Sequence, residues 1–359
     1  MEGIKNATLT LSNAKGKTEG KVRWQSPSNI ALVKYWGKYG NQLPKNPSVS
    51  FTLKNARTEM EVHYVKGSGK VKLFFEGKRN EAFEKRIEKF IKSVADVSPF
   101  YVELDYEIHS LNTFPHSAGI ASSASAMSAL CCALCEIENT LFQNLNNNED
   151  FKQKASYLSR LASGSASRSV YPKLAMWGKH TDFVKSSDLY AIDVSHEVDK
   201  IFHTFKNSIL IASAKEKSVS SSAGHQLMEN NPFAEVRFKQ ANDNLATLML
   251  AMKNADMDSF IRIVEEEALT LHALMMTSNP SFILMQPNTI TLINKLRAFR
   301  EVTKLPVCFT LDAGPNLHVL YPKNIEKEVQ HFIQTEMKPY CENGLIIEDE
   351  VGEGSSSNF

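Results

Sequence analysis

The chain has 359 residues, and its 41 lysines and arginines nearly balance its 40 aspartates and glutamates, which leaves a net charge of +1. Near-neutral charge argues against wholesale binding to nucleic acid or to an acidic membrane, although the sum can hide a local basic pocket. The length favours about two domains, and a hydrophobic content of 42% is typical of a globular protein.

The N-terminal part of the chain is predicted to consist mainly of strands. Residues 1–20 are polar, lack the apolar core of a secretory signal and predict a flexible arm. Residues 57–64, 71–75 and 100–108 are predicted to form strands, because apolar and polar residues alternate there or β-branched and aromatic residues are frequent. A helix is predicted between them, over residues 81–93.

A buried helix is predicted over residues 122–138, because alanine, serine, leucine and cysteine make this segment apolar on most faces. Cys132 and Cys135 form a CxxC pattern there, but no second pair follows, so we interpret them as helix packing and predict no metal site. The five cysteines, an odd number, favour reduced thiols and a cytoplasmic protein. The longest run of small apolar residues, 129–135, is too short to span a membrane.

The remainder is predicted to be largely helical and then to return to strands. Helices are predicted over residues 149–161 and over most of 220–302. Strands are predicted at residues 208–214, 307–311, 317–321 and 345–350. The tail, 352–359, is rich in glycine and serine and is predicted to be flexible. This order of elements predicts an α+β fold whose last strands rejoin a sheet.

A candidate phosphate site lies at residues 115–125, PHSAGIASSAS, between a predicted strand and a predicted helix. Small residues let the backbone approach a ligand, and a helix N-terminus offers free N–H groups to phosphate. The hydroxyls of Ser122 and Ser123 suit phosphate oxygens or Mg²⁺. The segment lacks the GKS/T of a Walker A loop, and a plain serine cap explains it equally well when it is taken alone.

Two further segments combine cations with polar groups. Residues 26–38, SPSNIALVKYWGK, place Lys34 and Lys38 four positions apart, so both would face one way if the segment were helical. The alternative is a surface amphipathic turn. Residues 162–169, ASGSASRS, combine hydroxyls with Arg168, which can bind a carboxylate through two parallel hydrogen bonds. A flexible serine-rich loop is the alternative there.

Two other segments carry a carboxylate and a group of hydroxyls. Residues 310–316, TLDAGPN, place Asp312 on a turn, where it either caps backbone N–H groups or orients and deprotonates a hydroxyl. Residues 217–222, KSVSSS, precede a predicted helix and are interpreted first as a helix cap, with a phosphate contact as the alternative.

Together and in this order, these segments resemble the diphosphomevalonate decarboxylase family of the GHMP kinase superfamily. NIALVKYWGK is highly specific to that family, and FPHSAGIASSAS, SGSASRS and TLDAGPN resemble its FPTAAGLASSA, SGSACRS and TFDAGPN motifs. The resemblance covers about residues 21–354. It implies an α+β, GHMP kinase-like fold with lobes at 21–205 and 206–351, a left-handed βαβ feature, and an active site in the cleft between the lobes.

The resemblance also implies a reaction. With ATP and Mg²⁺, (R)-5-diphosphomevalonate would give isopentenyl diphosphate, ADP, phosphate and CO₂ through transient phosphorylation of the 3-hydroxyl. The alternatives are a kinase of the 3-hydroxyl, a decarboxylase of the 5-monophosphate and a non-catalytic nucleotide-binding member. The kinases tend to lose the aspartate and lysine present here as Asp312 and Lys34. Relatives are often homodimers, so the resemblance makes a homodimer possible, and no nucleic-acid or membrane partner is expected.

Residue roles are implied in the same way. Asp312 would act on the 3-hydroxyl and stabilise positive charge, with Lys34 beside it and Arg168 on the substrate carboxylate. Substrate contacts are implied for Tyr35, Lys38, Arg86, Ser163 and Ser165. Contacts with the ATP phosphates are implied for Gly119, Ser122, Ser123 and Ser221. Two histidines depart from the family pattern. His116 replaces a threonine and is expected to form a neutral hydrogen bond, and His225 stands where methionine is common.

Overall fold

Two main sheets, one in each half of the chain, organise this computed structural model, which describes residues 4–115, 120–145, 147–215, 219 and 221–359. The first half contains β1 (Glu19–Val33), β2 (Lys38–Tyr39), β3 (Leu43–Pro44), β4 (Ser48–Lys66), β5 (Val71–Phe75), β6 (Lys78–Arg79), α1 (Glu81–Ser93), β7 (Leu104–Asn112), α2 (Ser122–Phe142), α3 (Asn148–Ala162), β8 (Leu174–Trp177) and β9 (Ala191–Asp193). The second half contains β10 (Phe205–Leu210), α4 (Ser221–Gln226), α5 (Ala234–Lys253), α6 (Met257–Met276), α7 (Pro287–Thr303), β11 (Cys308–Thr310), β12 (Leu317–Pro322), α8 (Glu326–Phe332) and β13 (Ile346–Glu350).

The larger sheet has the strand order β6-β5-β7-β4-β8-β9, and β1 pairs with β4 as a long antiparallel hairpin. β5 and β7 are parallel, and α1 connects them, so this part of the sheet is a βαβ unit. The smaller sheet has the order β11-β12-β10-β13. Because β9 ends at Asp193 and β10 begins at Phe205, the sheets support the proposed division of the chain near residue 205.

Several predicted elements are confirmed. α1 and β5 occupy the predicted residues, and α2 begins at Ser122 as expected. α2 carries Cys131, Cys132 and Cys135, which are fully buried, so these thiols belong to the core of the first lobe. No helix among the described residues combines the length and the apolar character needed to cross a membrane.

The segment that carries Lys34 and Lys38 is not helical. β1 continues to Val33, and the chain then runs without regular structure into the short strand β2. The second half of β1 is buried on both faces because α2 and α6 contact it as well as the sheet. The four-residue spacing of the two lysines therefore does not place them on one face of a helix.

Both chain ends pack against the first lobe, which differs from the flexible arm and tail expected from their composition. Ile4 and Leu9 are buried in the core of this lobe. At the other end, Ser356 forms a bridge with Gln25 in β1, and the Gly352 N–H donates to the Thr52 carbonyl of β4 at 2.9 Å. These contacts involve only a few side chains and backbone groups, so polar composition did not indicate them.

A buried ion pair links α2 to α3. The Lys154 ammonium lies 2.6 Å from Glu138, and both side chains are at most 1% exposed. Glu138 also accepts hydrogen bonds from Ser98, Tyr101 and Asn144. Removing one member of such a pair leaves the other charge buried without a partner.

We expect Lys154→Met to lower the free energy of unfolding by about 3–5 kcal/mol, measured by urea denaturation. Lys239→Met is the matched control, because Lys239 is 78% exposed on α5, and it should change stability by less than about 0.5 kcal/mol. Combining Lys154→Met with Glu138→Leu should recover much of the loss. A single variant as stable as the wild type would contradict the role given to this pair.

Candidate active site

A cavity of about 320 Å³ lies between the two lobes. The first lobe contributes the chain after β1, the start of α2, an arginine of α1 and the turn after α3. The second lobe contributes residues of α4 and α6 and the turn after β11. The charged side chains that line it are Lys34, Lys38, Arg86, Arg168 and Asp312. Among the described lining residues, four cations therefore face one carboxylate.

Lys34 and Asp312 form an ion pair across the lobes. The Lys34 Nζ atom lies 2.9 Å from Asp312 Oδ1, and it also donates to the Ala31 carbonyl at 2.6 Å. The Lys34 side chain is 2% exposed, whereas that of Asp312 is 30% exposed. Both side chains line the cavity, and the carboxylate is the more accessible member of the pair.

Opposing effects set the pKa of the Asp312 carboxyl. Burial alone would raise it, but the charge and the hydrogen bond of Lys34, together with the more distant Arg168, bring it below its ordinary value. Burial also lowers the pKa of the Lys34 ammonium, although Asp312 opposes that effect. Asp312 is therefore ionised at neutral pH and is a weak base.

The backbone around Asp312 is fixed by neighbouring elements. His272 of α6 donates from Nε2 to the Asp312 carbonyl at 3.1 Å, and burial lowers the pKa of His272 to about 4, so its ring is neutral. Gly314 N–H donates to the same carbonyl at 2.7 Å and closes a tight turn. Thr289 of α7 holds the Pro315 carbonyl at 2.7 Å.

Arg168 is a buried cation that faces the same cavity. Its Nε donates to Ser50 at 2.8 Å and its Nη1 to Ser48 at 2.5 Å, both on β4. A longer contact of 3.3 Å joins Nη2 to Asn29. Among the described residues, no carboxylate forms an ion pair with it, and burial lowers the pKa of Arg168 to about 10. A buried guanidinium held only by neutral groups is suited to binding an external anion.

Tyr35 and the two serines form the wall beside Arg168. Tyr35 packs edge-on against Trp177 with ring centroids 4.6 Å apart, and burial raises the pKa of its hydroxyl well above the ordinary value. Ser163 and Ser165 line the cavity on either side of Gly164. A Cβ atom at Gly164 would lie 2.9 Å from the Tyr35 hydroxyl oxygen, so any larger residue would displace this ring.

Lys38 and Arg86, two of the expected substrate contacts, both line the cavity. Lys38 donates to Gln42 at 2.9 Å, and burial lowers the pKa of its ammonium. Arg86 projects from the exposed face of α1 and has no ion-pair partner among the described residues. The structure thus brings both cations into the same cavity as Arg168.

The predicted phosphate contacts are described in part. Ser123 lines the cavity, and Ser122 begins α2 and lines an adjoining, mostly apolar cavity of about 220 Å³. The N-cap residue, Ala121, makes no side-chain hydrogen bond to the first turn of α2, which leaves that turn suited to an anion. Gly119 and His116 lie outside the described residues. Ser221 begins α4, and the structure describes only its backbone.

Sequence patterns missed Glu267, which supports Lys34 from behind. Its fully buried carboxylate accepts from the Lys34 N–H at 2.8 Å, from Arg237 at 2.5 Å and from Asn244 at 2.8 Å. It belongs to a run of three glutamates, which in a sequence is typical of a solvated helix face. None of the motifs identified in the sequence includes Glu267, so only these tertiary contacts reveal its role.

We expect Glu267→Ala to lower the free energy of unfolding by about 3–5 kcal/mol, because Arg237 would remain buried without its partner. Chemical denaturation measures this change. Glu301→Ala is the matched control, since Glu301 is 82% exposed on α7, and it should be nearly neutral. Equal stability of the two variants would contradict the structural role of Glu267.

Comparisons with known proteins place both halves of the chain in one family. The family model for the diphosphomevalonate decarboxylase-like N-terminal domain matches residues 26–191, and the model for the mevalonate 5-diphosphate decarboxylase C-terminal domain matches residues 208–353. The diphosphomevalonate decarboxylase of Ganoderma lucidum is 28% identical over 347 residues, which cover 89% of this chain and 82% of the relative.

Solved structures show the same relationship. The crystal structure of mevalonate diphosphate decarboxylase from Staphylococcus aureus is 27% identical, with a TM-score of 0.81 over 94% of this chain and 98% of that one. A structure of MDDEF in complex with MVAPP, AMPPCP and magnesium is 26% identical, with a TM-score of 0.79 over the same shares of the two chains. These similarities confirm the predicted α+β, GHMP kinase-like fold. With both of its halves matched by models of one enzyme, the chain belongs to the diphosphomevalonate decarboxylase family.

Proposed function

We propose that the chain catalyses ATP-dependent decarboxylation of (R)-5-diphosphomevalonate to isopentenyl diphosphate, with release of ADP, phosphate and CO₂. One observation carries this proposal: the ionised Asp312 and the buried Arg168 line a single cavity, and Arg168 forms no ion pair with a carboxylate of the described residues. Such a cavity offers a site for a carboxylate next to a fixed negative charge that can stabilise a cation. The family relationship supports the same reaction.

Charge complementarity supports one arrangement of the substrate. Arg168 binds the substrate carboxylate, with Ser163 and Ser165 as neutral hydrogen-bond partners. Lys38 and Arg86 bind the diphosphate, which carries more negative charge and therefore needs more than one cation. With both ends held, the 3-hydroxyl and the bond to the carboxylate lie in the part of the cavity that Asp312 and Tyr35 line.

Asp312 acts at C3 of the substrate. It accepts the hydrogen bond of the 3-hydroxyl, whose oxygen attacks the γ-phosphorus of ATP. ADP leaves, and the hydroxyl proton passes to Asp312 and then to solvent. The C3–O bond then breaks, and phosphate departs with the bonding electrons. Ionised Asp312 stabilises the positive charge at C3 while the electrons of the C1–C2 bond form the C2=C3 double bond and CO₂ is released.

The low pKa of the Asp312 carboxyl bears on the balance of these roles. A weak base contributes little to removing a proton, whereas a carboxylate that stays ionised is well suited to stabilising positive charge. We therefore assign Asp312 mainly to orientation and to stabilisation of the cation. Lys34 keeps Asp312 ionised, and the Lys34–Asp312 pair favours a decarboxylase over a relative that stops after phosphorylation of the hydroxyl.

Magnesium and ATP fit the start of α2. Ser122 and Ser123 offer hydroxyls there, and no group of three or more metal-ligating His, Cys, Asp or Glu side chains occurs among the described residues. These serines therefore suit an ion held mainly through phosphate oxygens, and Mg²⁺, when bound, neutralises charge on the transferring phosphoryl group. The buried, free cysteines support a reducing, cytoplasmic location, and the homodimer stays a prediction.

One assay tests the proposal. Purified protein is incubated with ATP, Mg²⁺ and either 5-phosphomevalonate or 5-diphosphomevalonate, and ADP and CO₂ are measured together. Equimolar ADP and CO₂ from the diphosphate are expected. ADP without CO₂ would show a kinase, turnover of the monophosphate alone would show a different substrate, and ATP binding without turnover would show a non-catalytic member.

A further inference from the structure

His225 is a buried histidine that reaches the cavity from the second lobe. It lies on α4 and is 9% exposed, and its Nδ1 accepts a hydrogen bond from the Gly37 N–H at 2.9 Å. Its ring packs between two aromatic side chains, with centroid distances of 4.4 Å to Tyr35 and 4.6 Å to Trp36. The ring is thus held on two sides and cannot turn freely.

The contact with Gly37 determines which ring nitrogen carries a hydrogen. A backbone N–H can only donate, so Nδ1 must be an unprotonated acceptor. In a neutral imidazole the hydrogen is then on Nε2. Burial, with a smaller contribution from the charge of Lys38, lowers the pKa of His225 to about 3, so the ring is neutral at every pH at which enzymes of this kind work.

The Gly37 backbone makes this contact possible. Gly37 has φ of +99°, and a Cβ atom there would lie 2.5 Å from Phe238. Only glycine can direct its N–H toward His225 in this conformation without displacing α5. Nδ1 is therefore used to hold the chain between Lys34 and Lys38, which leaves Nε2 for another partner.

No hydrogen-bond partner of Nε2 occurs among the described residues, and His225 lines the cavity together with Lys38. The Nε2–H opens to the cavity instead of being enclosed by protein, so an oxygen of a bound ligand can accept a hydrogen bond from it. We infer that His225 is a substrate-binding residue whose Nε2–H donates to a phosphate oxygen of the diphosphate held by Lys38. This inference rests on the proposed function for the identity of the ligand.

A neutral donor adds something that a further cation would not. Lys38 attracts any anion, whereas an Nε2–H fixed by Gly37 and two rings donates only to an oxygen placed in one direction. His225 therefore helps to fix the position of the diphosphate, and with it the distance of C3 from Asp312. Removing the His225 side chain is therefore expected to weaken binding of the substrate and to leave binding of ATP unchanged.

Two variants distinguish the roles of the two ring nitrogens of His225. In His225→Asn, the amide oxygen can replace Nδ1 as acceptor for Gly37, but nothing replaces Nε2–H. In His225→Gln, the longer amide can place an N–H where Nε2 was. We expect the KM for 5-diphosphomevalonate to rise about 10- to 100-fold in His225→Asn, with little change in the KM for ATP, and to stay much closer to wild type in His225→Gln. His196→Asn, at a residue whose side chain is 71% exposed, is the matched control.

A measurement without turnover completes the test. In protein labelled with ¹⁵N-histidine, the His225 Nε2 resonance, assigned by its loss in His225→Asn, should show the Nε2–H tautomer and shift when inorganic pyrophosphate is added. An unshifted resonance, or an unchanged substrate KM in His225→Asn, would overturn the inference. Equal losses in both variants would assign the effect to the packing of the ring between Tyr35 and Trp36, which both variants lack, and would also overturn the inference. Wild-type protein that forms no ADP or CO₂ would instead refute the proposed function, and the pyrophosphate titration would still report on His225.

Discussion

Replacing Asp312 with asparagine is expected to lower kcat by about 10³-fold or more while the affinity for ATP stays close to normal. Asparagine has the same shape and still accepts a hydrogen bond from Lys34, so the turn held by His272 and Gly314 should be retained. What is lost is the negative charge that stabilises the cation at C3. Because this cavity is partly closed to water, solvent replaces that charge poorly.

Steady-state kinetics and calorimetric titration with ATP measure the two quantities separately. Asp243→Asn is the matched control, since Asp243 is 59% exposed on α5, and it should turn over like the wild type. Because the pKa of the Asp312 carboxyl lies below its ordinary value, acid should abolish the contribution of Asp312 only below the usual carboxyl range. Turnover near the wild-type level in Asp312→Asn would refute the assignment of this residue.

Arg168→Lys is expected to lower kcat/KM for the diphosphate substrate by about 10²-fold or more, although the positive charge is kept. The guanidinium binds Ser48 and Ser50 at the same time as it faces the cavity, and its planar fork fits a carboxylate. A lysine ammonium cannot make these contacts together. It would also be desolvated at a site that is nearly closed to solvent.

The effect of Arg168→Lys should fall on the substrate and not on ATP, because Arg168 and the start of α2 are different parts of the cavity. Competition by a substrate analogue that lacks the carboxylate gives the decisive comparison: it should bind wild type and variant equally. Arg262→Lys, at a residue 59% exposed on α6, serves as the control. An analogue that distinguishes the two proteins would show that Arg168 does not bind the carboxylate.

Elements determined by local sequence were predictable. Asn80 caps α1 by accepting from the Phe83 N–H at 3.1 Å, Glu81 lies in its first turn and Lys92 in its last. Each of these signals lies within a few residues of the helix end it determines. The same is true of the α2 start at Ser122, where small residues precede an apolar run. Such elements can be recognised without knowing what they pack against.

The site itself was predictable only through motifs. Lys34 and Asp312 are 278 residues apart in the chain, and no periodicity connects them. Glu267 is 233 residues from Lys34 and lies in an acidic run that resembles a surface helix. Resemblance to a family brought the motif residues together, but it did not indicate the groups that hold them, because those groups are determined by tertiary packing.

The tail has a consequence for how the protein is made. Gln25 pairs with Ser356 through both backbone and side chain, over a separation of 331 residues. A growing chain emerges from the ribosome with its N-terminal end first. The edge of β1 near Gln25 therefore stays without this partner until residue 356 has been synthesised. The first lobe therefore gains its last strand contacts only after the second lobe has been synthesised.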